Sequence, residues 1–119
     1  MTANQITLEH IASELELTLL TQAKDFRTVV PTAGYMSDLL SCVMAGAAKQ
    51  GIWITLQAHS NIVAVAALLD LSAVIITEGA EVEAATIAKA NEEGVTLFSS
   101  GKPSFTIAGK LWEMGLRAE

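Results

Sequence analysis

The second half of the chain carries a repeating hydrophobic pattern. Apolar runs IWITL, AVIIT and VTLF occupy residues 52–56, 73–77 and 95–98. Their centres lie roughly 21 residues apart, the length of a strand, a loop, a helix and a loop. None of the runs alternates, which is how parallel strands covered on both faces read. Helical patterns fill the gaps at residues 61–70 and 82–92, with Gly94 closing the second, and a last helix covers residues 104–114. The repeats predict a parallel core with right-handed crossovers. The segment at 62–69, IVAVAALL, has almost no polar face. It predicts a helix buried all round, between the sheet and a dimer partner.

The first half is less regular. Thr7 stands three residues before His10, half a capping box, and Leu8, Ile11 and Leu15 share one helical face. A short helix ending near Glu14 is expected. Residues 15–19, LELTL, alternate with period two and predict a half-exposed strand. Polar residues 22–25 make a turn. Residues 27–30, RTVV, are a second strand candidate, ended by Pro31 and Gly34. Ser37-Asp38 caps a helix with apolar positions Leu39, Leu40, Val43, Met44 and Ala47, and Gly51 stops it. The expected fold is a three-layer α/β/α arrangement around a mostly parallel sheet of about four to five strands, a single domain over residues 1–119.

Composition adds a partner and removes several function classes. The chain is 51% hydrophobic but only 17% charged, against a usual charged share of about 25%. That shortfall predicts a homodimer, in which a second copy covers outer surface. Net charge is −6, and the seven Lys and Arg are scattered from Lys24 to Arg117. A phosphate-backbone reader needs a basic footprint, so no nucleic-acid partner is expected. Cys42 is the only cysteine, which fits a reducing cytoplasm and predicts a buried structural thiol on a helix. The N-terminus lacks a signal-peptide pattern, and the apolar run 62–69 is far short of the about 20 residues that span a bilayer. A cytoplasmic protein with no membrane partner is expected. His10 and His59 are the only histidines, and no His/Asp/Glu trio has ligand spacing, so neither metal nor cofactor is expected.

Candidate chemistry lies beyond the carboxyl ends of the strands, where open α/β sheets hold ligands. Gln57, His59, Ser60 and Asn61 follow the first run. Thr77, Glu78 and Gly79 follow the second. Ser99, Ser100, Gly101, Lys102 and Ser104 follow the third. SSGKPS, before a helix, is suited to an anion but is not a Walker motif, since the first glycine and the spacing are missing. Ser60 or Asn61 reads as an ordinary N-cap. His59 reads either as a loop residue bonded to local backbone or as a ligand contact. As a general base it would need an orienting group, and Glu78 on the neighbouring loop is the candidate.

The blocks YMSDLLSCVMA, IWITLQAHSNIVAVAALLD, AVIITEG and PSFTIAGKLWEMG, in this order within residues 27–115, resemble the small stand-alone DRTGG-domain proteins. That domain is similar to the amino-terminal module of bacterial HPr kinase/phosphorylase, and it also occurs inside some phosphotransacetylases and nucleotide-regulated pyrophosphatases. The resemblance implies a three-layer α/β fold, a dimer, no catalytic apparatus and a regulatory or ligand-sensing role. It also suggests an accessory link to iron-only hydrogenase systems. Two elements depart from the motif. His59-Ser60-Asn61 stands where Asp-Arg is expected, and Thr77-Glu78-Gly79 represents Thr-Gly-Gly. The phosphate-binding cation is thus lost and a carboxylate is added, leaving Lys102 as the nearby cation.

The resulting expectation is a non-catalytic regulatory or accessory module that senses a small, nucleotide-related molecule and acts as a dimer. Its candidate ligand-binding residues are His59, Asn61, Thr77, Glu78, Gly79, Ser100 and Lys102. The alternatives are a small enzyme using His59 with Glu78, and a structural adaptor that binds a protein partner.

Overall fold

The three apolar runs form the centre of a five-stranded sheet. The computed structural model describes residues 5–118. Strands β1 (Thr18–Leu19), β2 (Gly34–Met36), β3 (Ile52–Thr55), β4 (Ala73–Ile76) and β5 (Leu97–Ser99) lie in the order β1-β5-β4-β3-β2. β2 through β5 pair in parallel, and β1 runs antiparallel against β5. Helices α1 (Leu8–Glu14), α2 (Leu40–Gly46), α3 (Asn61–Leu68), α4 (Ala84–Glu93) and α5 (Ser104–Glu113) cover both faces.

The register sorts every side chain to one face or the other, as the two-residue period of a strand demands. Trp53 lies beside Val74, which lies beside Leu97, and this row packs under α2, α3 and α4 with Val43, Ile62, Val63 and Ala90. Ile54, Ile75 and Phe98 form the next row and pack under α1 and α5 with Leu8, Ile11, Ile107 and Leu111. Parallel neighbours linked in sequence by crossovers of one hand put all three linking helices on one face. The mostly parallel α/β expectation holds.

Thr7 accepts the His10 amide at 3.1 Å and opens α1 as its spacing predicted, and Gly94 closes α4 in the left-handed region at φ 75°. Four expectations fail for local reasons. Residues 15–17 are not strand, because the amides of Leu15, Glu16 and Leu17 still bond back to carbonyls of α1, and only Thr18–Leu19 reaches β5. Residues 27–30 are not strand either. The Asp25 carboxylate accepts the Arg27 amide at 3.2 Å and its Nε at 2.9 Å, fixing a 3-10 turn at Phe26–Thr28. The same guanidinium holds the Asp25 carboxyl below the usual carboxylate range. The strand forms later, at Gly34–Met36. Gly51 does not stop α2, which ends at Gly46. At Gly51 a Cβ would stand 2.9 Å from the carbonyl oxygens of both Ala33 and Ala48, so glycine is required there for close approach.

Within a single copy α3 buries Ile62, Val63, Val65 and Ala66 and turns Ala64, Ala67 and Leu68 outward, the side on which a second copy was expected. The fourth failure concerns burial. Cys42 is exposed rather than buried, because in the seven-residue α2 only Val43 reaches the core. No helix among the described residues is long and apolar enough to cross a membrane.

Candidate functional site

A parallel sheet delivers the ends of β3, β4 and β5 to one edge, and two threonines stitch that edge together. Thr55 and Thr77 are both fully buried. The Thr55 hydroxyl donates to Asp38 Oδ1 at 2.7 Å, and the same carboxylate oxygen accepts the Leu56 amide at 2.9 Å. The Gln57 side chain donates to the Asp38 carbonyl at 3.0 Å, tying the loop after β3 to the loop after β2. Thr77 donates its amide to the Thr55 carbonyl at 2.9 Å, and its hydroxyl shares a short hydrogen bond with Ser104 Oγ at the start of α5. Three strand ends and one helix start are thereby held in fixed relation.

The turn after β4 has an unusual occupant. The Ala80 amide bonds the Thr77 carbonyl at 3.1 Å, and the two residues between, Glu78 and Gly79, have φ 63° and 67°. Positive φ at both central positions suits glycine or asparagine. A glutamate there costs about 1–2 kcal/mol. Backbone bonds enforce it: the Glu78 amide donates to the Lys102 carbonyl at 2.9 Å and the Gly79 amide to the Ser100 carbonyl at 3.0 Å. The strained residue turns its carboxylate onto the N-terminus of α5, where Oε2 accepts the Ser104 amide at 2.8 Å. The free amides and dipole of that terminus attract an anion, and Glu78 supplies one from within the chain.

Thr77, Glu78, Gly79, Ser100 and Lys102 are thus brought into one rim. Ser100 Oγ accepts the Lys102 amide at 3.1 Å, and the Lys102 ammonium lies 3.7 Å from Glu16. His59 and Asn61 follow β3 at the same edge but make a different contact. His59 Nδ1 accepts the Asn61 amide at 3.1 Å, so the imidazole caps α3. Neither Ser60 nor Asn61 supplies the side-chain cap expected of them. Glu78 bonds Ser104, and no hydrogen bond joins it to His59 among the described residues.

Sequence reasoning passed over Asp38 as a mere cap and gave Thr55 no role. The available signal was the repeated threonine at the end of two buried strands, IWIT and VIIT. A second feature was also missed. At the opposite, amino-terminal edge a groove of about 350 Å³ is lined by Lys24, Phe26, Gln50, Asp70, Ser72 and Thr96. Among the described residues no group of three or more His, Cys, Asp or Glu could hold a metal ion.

No family model matches the sequence, and no curated protein matches it. A solved structure does: the CBS and DRTGG domains of the regulatory region of Clostridium perfringens pyrophosphatase, complexed with the activator diadenosine tetraphosphate. It superposes with a TM-score of 0.73 at 18% sequence identity, covering 94% of this chain. The match takes in 48% of the neighbour, so this chain spans about half its length. The likeness is one of fold, and it bears out the DRTGG-like architecture that the sequence blocks implied.

Proposed function

We propose that the chain is a non-catalytic regulatory module whose carboxyl-edge rim receives a phosphate-bearing small ligand, with Glu78 occupying the seat of the phosphate until the ligand arrives. The contact of Glu78 with the Ser104 amide carries this reading. Such a cap contributes about 0.3–1 kcal/mol, and up to about 2 when partly buried. The backbone strain at Glu78 is of the same size and opposite sign. The carboxylate therefore holds its seat with little net free energy, and a phosphate with more charge and more acceptor oxygens displaces it. Lys102 is available to that phosphate, because its exposed pairing with Glu16 is worth at most about 1 kcal/mol. Ser100 supports the turn below the phosphate, and His59 and Asn61 border the remainder of the ligand.

The structural neighbour adds support for the class of ligand, since it is a regulatory region that binds a dinucleotide activator. In this reading the protein is cytoplasmic and acts as a dimer, as the low charged fraction suggests. The kinship to the HPr kinase/phosphorylase module and the link to iron-only hydrogenase systems rest on sequence resemblance alone.

Titration calorimetry of wild type and Glu78→Gly with inorganic phosphate and diadenosine tetraphosphate tests the proposal. Glu78→Gly removes the internal anion and the strain together. Stability is expected to change by no more than about 1 kcal/mol, because the two terms offset. Affinity is expected to rise at least about tenfold, the equivalent of 1.4 kcal/mol. Lys102→Ala should weaken binding in both backgrounds. If neither ligand binds Glu78→Gly, the rim is not a phosphate site.

A further inference from the structure

The groove at the amino-terminal edge of the sheet, about 350 Å³, is large enough for a small ligand. Lys24 and the 3-10 turn at Phe26–Thr28 border one side of it, and Thr96, just ahead of β5, lies at its base. The two-residue period turns the Thr96 side chain to the same face as Phe98. Thr96 is 3% exposed, and its hydroxyl makes no hydrogen bond among the described residues. No enclosed side-chain oxygen or nitrogen of those residues lacks a partner, so the hydroxyl is the part of Thr96 open to the groove.

Two residues at the mouth have left-handed backbone, Gln50 at φ 62° and Asp70 at φ 54°. The Gln50 amide donates to the Asp70 carbonyl at 2.9 Å, and the Ser72 hydroxyl donates to the Gln50 carbonyl at 2.6 Å. These bonds hold both loops in a conformation that side chains resist, a kind of strain that concentrates at binding sites. Lys24 and Asp70 are the only charged residues lining the groove. No ion pair joins them among the described residues. The Lys24 ammonium donates instead to the Gly94 carbonyl at 2.7 Å.

We infer that this groove binds a free amino acid with an apolar side chain. Opposite charges that share a groove without meeting match a ligand carrying one charge of each sign. Lys24 spends one of its three N–H donors on Gly94 and offers the others to the ligand carboxylate. Asp70 follows the carbonyl end of α3, so its carboxylate and the helix dipole both attract the ligand ammonium. The same field repels a phosphate, which separates this site from the rim. The Thr96 hydroxyl gives the ligand a further polar contact at the base. Phe26, Val29, Val30 and Leu71 supply an apolar wall for its side chain. Val30, 36% exposed, loses contact with water when that side chain covers it. Groove and rim lie at opposite edges of the sheet, so the inference is independent of what the rim binds.

Amide resonance titrations of the wild-type protein with leucine, 4-methylpentanoate and leucinamide test the inference. The second compound lacks the ammonium of leucine, and the third lacks its carboxylate. Leucine should give saturable shifts at residues 24–30, 50, 70–72 and 94–96, with residues 77–80 and 99–106 unmoved. Each analogue should bind at least about tenfold more weakly, the loss expected of one charge-assisted hydrogen bond. Lys24→Gln and Asp70→Asn should each weaken leucine by a similar factor, and asparagine accepts the left-handed backbone at position 70. Thr96→Val, which keeps the shape and deletes the hydroxyl, should weaken it less than either. No groove shifts with leucine, valine or phenylalanine at about 10 mM overturns the site, since that lies beyond the millimolar end of specific affinities. Equal affinity for leucine and 4-methylpentanoate also overturns it, because the groove would then be an apolar crevice that reads no ammonium.

Discussion

Trp53→Ala is expected to lower the unfolding free energy by about 3–5 kcal/mol, the range for removing a fully buried large aromatic. That is a large part of the about 5–15 kcal/mol available to a domain of this kind. Trp53 is completely buried at the middle of β3, between Tyr35 on β2 and Val74 on β4. Its volume is not its only contribution. The indole Nε1 donates to the Ser37 carbonyl at 2.8 Å, and this bond fixes the loop that presents Asp38 to Thr55. Trp53→Phe separates the two effects. It keeps most of the packing but strips the partner from a part-buried carbonyl, at about 1–3 kcal/mol. Guanidinium denaturation measures both variants. A loss below about 1 kcal/mol for the alanine variant would mean that the sheet does not pack under α2 to α4 as described.

Thr77→Val is expected to cost about 1–3 kcal/mol although it preserves shape and burial. The hydroxyl it deletes is fully buried and bonds the Thr55 carbonyl and Ser104 Oγ. Valine leaves the Ser104 hydroxyl without its partner. It also releases the start of α5 from the end of β4, so any phosphate affinity of the Glu78→Gly protein should fall when Thr77→Val is added. A Thr77→Ser variant retains the hydroxyl and should retain that affinity. Thermal melts and calorimetry on the same samples read the two consequences separately. Equal ligand affinity in the valine and serine variants would show that the threonine serves packing alone.

What could be read from the residues followed from how local the controlling physics was. β3, β4 and β5 were legible because each is a short, unbroken apolar string, and strings of that kind are stable only between two helical layers. The rim followed from them, since Thr77 to Gly79 and Ser99 to Ser104 must trail parallel strands to one edge. Residues 27–30 misled because β-branched Thr28, Val29 and Val30 favour a strand, while the Asp25 side chain competes for their backbone and wins. β2 was missed because Gly-Tyr-Met has little propensity of its own. It is held by pairing with β3 and by the Gly34 amide on the Arg117 carbonyl at 2.8 Å, a contact across most of the chain. The left-handed backbone of Glu78 was unreadable for a related reason. A glutamate does not announce positive φ, and only the carbonyls of Lys102 and Ser100 impose it. His59 was foreseen as locally bonded or ligand-facing, and its contact is local, with a nitrogen in place of the usual capping oxygen.

The seat at the start of α5 is tested most directly by following backbone amide resonances while diadenosine tetraphosphate is added to the wild-type protein and to Glu78→Gly. Saturable shifts are predicted at residues 77–80 and 99–106, with the Ser104 amide moving most, and at lower ligand concentration in the glycine variant. Shifts confined to the groove of Lys24, Gln50 and Asp70 at the other edge, or no shifts in either protein, would contradict it.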